Sequence, residues 1–393
     1  MQQIMEKFSI SANQFGYFAA LYYYGYSSMQ IPVAILLDKF KPRYVVFAFA
    51  SLCGLATLIF NYTTSWYLAC ATRFFIGAGS AVGFLGVSKI ISEWFDKDFY
   101  SKMLGFSFTL GFMGAIYGGK PIGLLVESYN WQNVSIALGI TSVLIGLGAL
   151  LFLKDKKNIK QEQQPPLKLA DFKKLLNSPI IWLLAAANFL MVGSLQGFSD
   201  VWGVPYLMSA YGISKPDAAQ IVSCVFVGML FGGPLLAFSG KKLGNYSALI
   251  ICALVMALSF VILFLSHNYN SWSLFFLCFV IGLMCCYQVL IFTAGSELVS
   301  KELLGITIAF LNCVNMLGGS FFHTSIGFIM DLLWSGGVSQ DGFKEYALNS
   351  YQTSLTIIPV CSTLGAIILA VIAIKSRKSL PPDLEPQLAT TNE

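Results

Sequence analysis

Two stretches, Met29–Arg43 (MQIPVAILLDKFKPR) and Leu230–Asn245 (LFGGPLLAFSGKKLGN), decide how this chain is built. Each has a proline within an apolar run, Pro32 in the first and Pro234 in the second. Six residues later each reaches a polar turn, at Asp38 and at Gly240, the latter followed by Lys241 and Lys242. A unit that recurs with its proline and its charged end in the same places marks an internal repeat, with the two copies running in the same sense.

The rest of the chain fits a repeat that lies in a membrane. Of 393 residues, 56% are hydrophobic and 11% charged, less than half the charge of an ordinary soluble domain, which excludes a soluble fold. Apolar stretches of membrane-crossing length are expected near 14–37, 44–60, 66–91, 102–125, 133–153, 180–207, 217–239, 246–266, 271–295, 303–331 and 351–374. They are too long for the strands of a barrel, so the fold class is all-α, integral to the membrane, with about 11 helices arranged 5 + 6. The domains expected are a first bundle, 1–153, a basic linker, 154–178, carrying Pro165-Pro166, a second six-helix bundle, 179–374, and a tail, 375–393. An amphipathic piece around Leu167–Leu176 suits the membrane surface.

Orientation follows from the basic residues, which cytoplasmic loops hold in excess. With the linker inside, 18 of the 24 lysines and arginines fall in cytoplasmic segments, while Lys7, Lys215 and Lys344 fall opposite. This places the C-terminus in the cytoplasm and, with an odd number of spans, the N-terminus outside. The repeat accounts for the odd number. Pro234 has about 54 residues of its bundle before it and Pro32 only 31, a shortfall of one spanning helix. The expectation is that a first helix is missing, through a start codon placed too late or through degeneration. No basic segment followed by a short apolar core opens the chain, so no cleavable leader is expected.

The nine cysteines all lie in apolar stretches without CxxC spacing or partnering histidines, which reads as small packing residues, with no metal and no cofactor. Basic residues at helix ends, not in an aromatic-interleaved patch, exclude a nucleic-acid partner. The chain lacks HExxH, GxSxG and paired intramembrane aspartates, so an enzyme is not expected.

The segment Ala34-Ile-Leu-Leu-Asp38-Lys39-Phe40-Lys41-Pro42-Arg43 resembles the Gly-x-x-x-Asp-Arg-x-Gly-Arg-Arg signature of the major facilitator superfamily, departing from it at Ala34, Lys41 and Pro42. Arg73-Phe-Phe-Ile-Gly77-Ala-Gly79 is similar to that family's Arg-x-x-x-Gly-x-Gly element, and Gly111, Gly114, Gly118, Gly119, Pro121 and Gly123 to its glycine-rich fifth helix. Phe15–Asp38 looks like the second helix of bacterial proton-linked metabolite importers. The resemblance implies two bundles of six helices, alternating access, a bacterial inner membrane and a monomer.

An ionisable group in hydrocarbon costs roughly 2.5–3.5 kcal/mol at a helix centre, so each needs a reason. Arg73 and Lys120 suit an anionic substrate group, and Arg73 also suits biasing the protonation of a neighbouring carboxylate; the alternatives are carbonyls between helices for Arg73 and an interfacial, snorkelling role for Lys120. Asp200, near the end of its span, suits proton coupling or an interfacial cap, and Glu297 and Asp38 are further end-of-helix carboxylates. Tyr22, Tyr26, Asn188, Gln196, Gln288, Asn312 and Asn315 are candidate cavity residues, with Tyr23, Tyr287 and His323 beside them; neighbours on a helix are 100° apart, so the tyrosines at 22–24 cannot all face one way. Asp38, Lys39 and Arg43 suit a gate that pairs in one access state and parts in the other.

The function expected is secondary active transport, with a proton gradient driving uptake of a small polar or anionic nutrient: an amino acid, a short peptide or an organic acid. The alternatives are a drug or siderophore exporter of the same fold and a truncated, non-transporting relic.

Overall fold

The computed structural model describes residues 2–95, 97–154, 175, 177–265, 269–299, 303–338 and 344–378. Almost all of the basic linker, with its amphipathic piece, and most of the tail lie outside the described residues.

The helices are α1 Gln2–Phe8, α2 Ala12–Lys39, α3 Pro42–Tyr62, α4 Trp66–Ser80, α5 Val82–Trp94, α6 Lys97–Tyr117, α7 Lys120–Phe152, α8 Pro179–Met191, a π-helix Gly193–Trp202, α9 Gly203–Tyr211, α10 Lys215–Leu243, α11 Asn245–Leu265, α12 Ser271–Cys285, α13 Tyr287–Glu297, α14 Leu304–Leu332, α15 Leu348–Leu355 and α16 Ile357–Lys378. The starts follow from local chemistry. Ser11 and Gln14 form a reciprocal capping box at α2, Asn270 Oδ1 accepts the Ser273 N–H at 2.9 Å at α12, and Pro42 and Pro179 sit in first turns, where a missing N–H costs nothing.

Eight described stretches are long and apolar enough to cross a membrane. One of them, Thr109–Phe152, contains two of the expected spans, divided at Asn130, whose φ of 65° interrupts the helix. With α2 and α14 the eleven spans are accounted for, so the fold is all-α and multi-pass. Several spans are broken rods: Gly118–Gly119, Ala81, Cys286 and Thr356 each divide one span into two helices. The 180–207 span extends to Tyr211, because the rod continues through the π-helix into α9.

By packing, the chain divides into two compact units. The first holds Met1–Gln164, Gln196–Ser223 and Gly319–Leu355, and the second Pro165–Leu195, Cys224–Gly318 and Thr356–Glu393. In the first, α3 packs on α7 and α4, and α2 on α4; in the second, α11 packs on α16, α12 and α13, and α16 on α8.

The repeat seen in sequence recurs as a packing motif. In the first unit, Gly25 of α2 lies on the Phe74 carbonyl and Gly77 of α4 on the Tyr22 carbonyl, so close that a Cβ at either would collide with backbone. In the second unit, Gly228 of α10 lies in the same way on the Phe279 carbonyl, and Gly282 of α12 on the Val225 carbonyl. Lipid gives no hydrophobic drive for helix association, so close backbone approach at small residues supplies the contact. Pro32 and Pro234 lie in the helices that make these two crossings.

Candidate functional site

The crossing of α2 on α4 fixes the geometry of the candidate site. Ser65 caps α4, and about two turns further on the helix presents Arg73. Because Gly25 and Gly77 bring the two backbones together, the Arg73 guanidinium lies over rings of α2, at 5.1 Å from the Tyr22 centroid and 5.6 Å from Phe18. An aromatic face attracts a cation without neutralising it. Arg73 is half-buried, its Nε has no hydrogen-bond partner, and among the described residues no carboxylate lies within ion-pair distance of it. Tyr26, one turn along α2, stacks on Tyr22 with centroids 6.2 Å apart.

Asp200 comes to the same place from far along the chain. It sits in the π-helix, whose wider turn is a recurrent feature of functional segments. The π-helix packs on α14 through small residues: Gly197 abuts Phe322 and Ile326, and Gly319 abuts the side chain of Gln196. The Tyr23 hydroxyl donates to Asp200 Oδ2. Asp200 keeps exposed surface, so its carboxylate faces open space as well as its tyrosine.

His323 completes the group. Its ring stands edge-on to Tyr23 at 5.2 Å, and Nε2 lies 2.6 Å from the Gln196 carbonyl. A carbonyl only accepts, so Nε2 carries the proton and donates. Tyr22 and Tyr23 turn toward Arg73 and Asp200 while Tyr24 is exposed, the divergence that 100° per residue requires. The sequence placed Asp200 near the end of a span; in the structure the helical rod continues past it to Tyr211.

The other candidates lie elsewhere. Lys120, at the start of α7, forms an exposed ion pair with Asp217 at 2.8 Å and is not part of the Arg73 group. Asn188 and Asn315 are fully buried in the second unit: Asn188 Nδ2 donates to the Leu311 carbonyl at 2.9 Å, Tyr287 Oη donates to the Asn188 carbonyl at 3.2 Å, and the carboxamide of Asn315 has no hydrogen-bond partner among the described residues. Gln288 and Asn312 are half-buried in that unit, and Glu297 accepts from Asn245 at 2.9 Å. In the gate motif Lys39 is exposed and Arg43 stacks on Tyr44 at 4.7 Å; the Asp38 side chain lies outside the described residues. All nine cysteines are free thiols, and among the described residues no group of three or more His, Cys, Asp or Glu side chains is placed to hold a metal.

Two arrangements have no counterpart in the sequence reading. Lys7 of α1 donates to the Asn61 carbonyl at 3.0 Å and lies 5.1, 5.6 and 5.2 Å from the rings of Phe8, Phe60 and Trp131, which pins α1 to the end of α3. Asp331, at the end of α14, accepts from the Asn13 N–H at 2.8 Å, from Tyr346 Oη at 2.6 Å and from Lys344 Nζ at 3.1 Å, while Tyr346 Oη also accepts the Ala12 N–H at 2.9 Å. The free N–H groups opening α2 are thus met by an anion and a phenol, as a helix N-terminus favours. Burial, reinforced by the Asp331 carboxylate, raises the Tyr346 pKa above the ordinary phenol value, keeping its proton available to donate.

The chain aligns with known transporters over most of its length. The uncharacterized transporter YybO of Bacillus subtilis is 22% identical over 84% of this chain and 82% of its own length. The "Probable galactarate/D-glucarate transporter GudP" of Escherichia coli is 22% identical over 80% of this chain and 78% of its own length. The crystal structure of the nucleoside transporter NupG superposes with a TM-score of 0.73 at 14% identity, covering 94% of this chain and 93% of that one. The Major Facilitator Superfamily model matches residues 1–323. With its eleven spans and a family match over most of its length, the chain belongs to the Major Facilitator Superfamily and is a multi-pass membrane protein of the secondary-transporter class.

Proposed function

We propose that this transporter uses a proton gradient to take up a small polar or anionic nutrient, drawn from amino acids, short peptides and organic acids, across a bacterial inner membrane. Its bundles are 1–153 and 179–374, with the linker 154–178 and the tail 375–393 on the cytoplasmic side and the protein acting as a monomer. The observation that carries the reading is Arg73: a half-buried guanidinium, framed by Phe18 and Tyr22, with an unpartnered Nε and, among the described residues, no carboxylate in ion-pair contact. A membrane protein retains an intramembrane cation that nothing neutralises when a substrate or a coupling group completes it. Tyr22 and Tyr26 form the wall of that site, and Asp200 with Tyr23 supplies the group that exchanges charge with it. The likeness to GudP, named as a probable galactarate/D-glucarate transporter, supports an anion as part of the substrate.

The test is uptake into proteoliposomes, with an imposed inward proton gradient, of labelled amino acids, dipeptides and organic acids. Accumulation that needs the gradient and disappears in Arg73→Ala supports the proposal. Gradient-driven expulsion of a large amphiphilic drug, with no uptake of any nutrient in the panel, favours the exporter.

A further inference from the structure

Arg73 and Asp200 present opposite charges to one region of the first unit without neutralising each other. The Arg73 guanidinium lies 5.1 Å from the Tyr22 ring, Tyr22 stands edge-on to Tyr23 at 5.3 Å, and the Tyr23 hydroxyl donates to Asp200, yet no ion pair within 4 Å joins the two charges. Both keep accessible surface: Arg73 is half-buried and Asp200 is exposed. Each also has an assigned neighbour that leaves its charge intact. The rings of Phe18 and Tyr22 lie under the guanidinium, and the Tyr23 hydroxyl occupies one carboxylate oxygen, Oδ2, leaving Oδ1. Two unpaired opposite charges, each open on one side within otherwise apolar spans, offer a ready recognition pair to a ligand that carries both.

From this geometry we propose that the substrate is a zwitterion of the α-amino acid type, its carboxylate on Arg73 and its ammonium on Asp200. The inference rests on the nutrient-uptake reading above and selects one class within it. A dicarboxylate satisfies Arg73 with one end and brings its other negative charge toward Asp200, where like charges repel. A monocarboxylate leaves Asp200 without a cation. A molecule with both charges on adjacent carbons completes both groups at once and carries no net charge into the site. The stacked rings of Tyr22 and Tyr26 then give the side chain a flat wall, suited to an apolar or aromatic group. Asp200 would act as a recognition residue, with Tyr23 positioning its carboxylate.

The experiment compares matched ligands on the full chain in proteoliposomes: the proteinogenic L-amino acids, the carboxylic acid left when each loses its amino group, and the diacids succinate and galactarate. Expected is gradient-driven uptake of one or more amino acids at concentrations at least about 10-fold below their des-amino partners. In Asp200→Asn that preference collapses, because the ammonium loses its counter-charge while the carboxylate keeps Arg73. In Asp200→Glu it is largely retained. The wild-type comparison decides the matter even if a variant fails to fold. Uptake of a diacid or of a des-amino acid in preference to every amino acid overturns the zwitterion assignment and leaves the nutrient importer standing. Amino-acid uptake whose preference over the des-amino partner survives in a folded Asp200→Asn protein overturns the role given to Asp200. Failure of all three ligand classes to accumulate overturns both readings together.

Discussion

The two compact units each bury a polar cluster among apolar helices, and the clusters differ in kind. In the first unit the groups are charged, Arg73 and Asp200, and keep open surface beside Tyr22 and Tyr23. In the second they are neutral and closed: Asn188 and Asn315 show no accessible surface, and Asn188 and Tyr287 bond to backbone. An unpaired charge within an apolar span is the costlier group to retain, whereas a neutral amide enclosed between helices tolerates partial satisfaction. Chemistry is therefore expected to concentrate in the first unit, and the carboxamide of Asn315 to report on a different packing of the second.

The sharpest way to break this contrast is Arg73→Ala. Losing a charged anchor worth up to about 3 kcal/mol is expected to reduce substrate affinity by about 100-fold, measured as the concentration for half-maximal uptake. An effect within threefold would remove the distinction between the units. Next in size is Asn315→Leu, for which two readouts are expected to move in opposite directions. Thermal unfolding in detergent should shift upward by a few degrees, about 1 kcal/mol of recovered desolvation, while uptake falls by about tenfold, because the amide is kept for a state in which it finds partners.

The glycine crossings test whether the units are built alike. Gly77→Ala and Gly282→Ala should each destabilise the protein by about 1–3 kcal/mol through forced backbone separation, with thermal unfolding as the measure. The first should also weaken substrate binding, since it moves Arg73 relative to Tyr22, and the second should not. Smallest is Lys120→Ala. Its partner Asp217 is exposed, so uptake should stay within about twofold of the parent in a side-by-side assay.

The spans and the repeat were legible because they depend on length, apolarity and the recurrence of Pro32 and Pro234, which act locally. Arg73 was also legible, since a cation in an apolar run stands out whatever surrounds it. Its juxtaposition with Asp200 was not, because the two lie in different spans far apart in the chain and nothing in either segment encodes the other. For the same reason Lys120 gave no sign of Asp217, nor Asp331 of Tyr346 and the start of α2. The helix α1 was missed because seven residues are too few for an apolar period to emerge. The π-helix was invisible because changing the hydrogen-bond register leaves composition untouched, so the span appeared as a uniform rod and Asp200 as a residue near its end.

That register has a genetic consequence. A π-helix closes its hydrogen bonds one residue later than an α-helix, so the segment Gly193–Trp202 accommodates an amino acid that a regular helix of the same length would not. Deleting a single codon between Gly193 and Asp200 would let the rod wind regularly and swing the carboxylate about 100° around the helix axis, away from Tyr23. Among descendants of this gene, the setting of Asp200 against Tyr23 is therefore as open to change through the loss of three nucleotides as through a substitution.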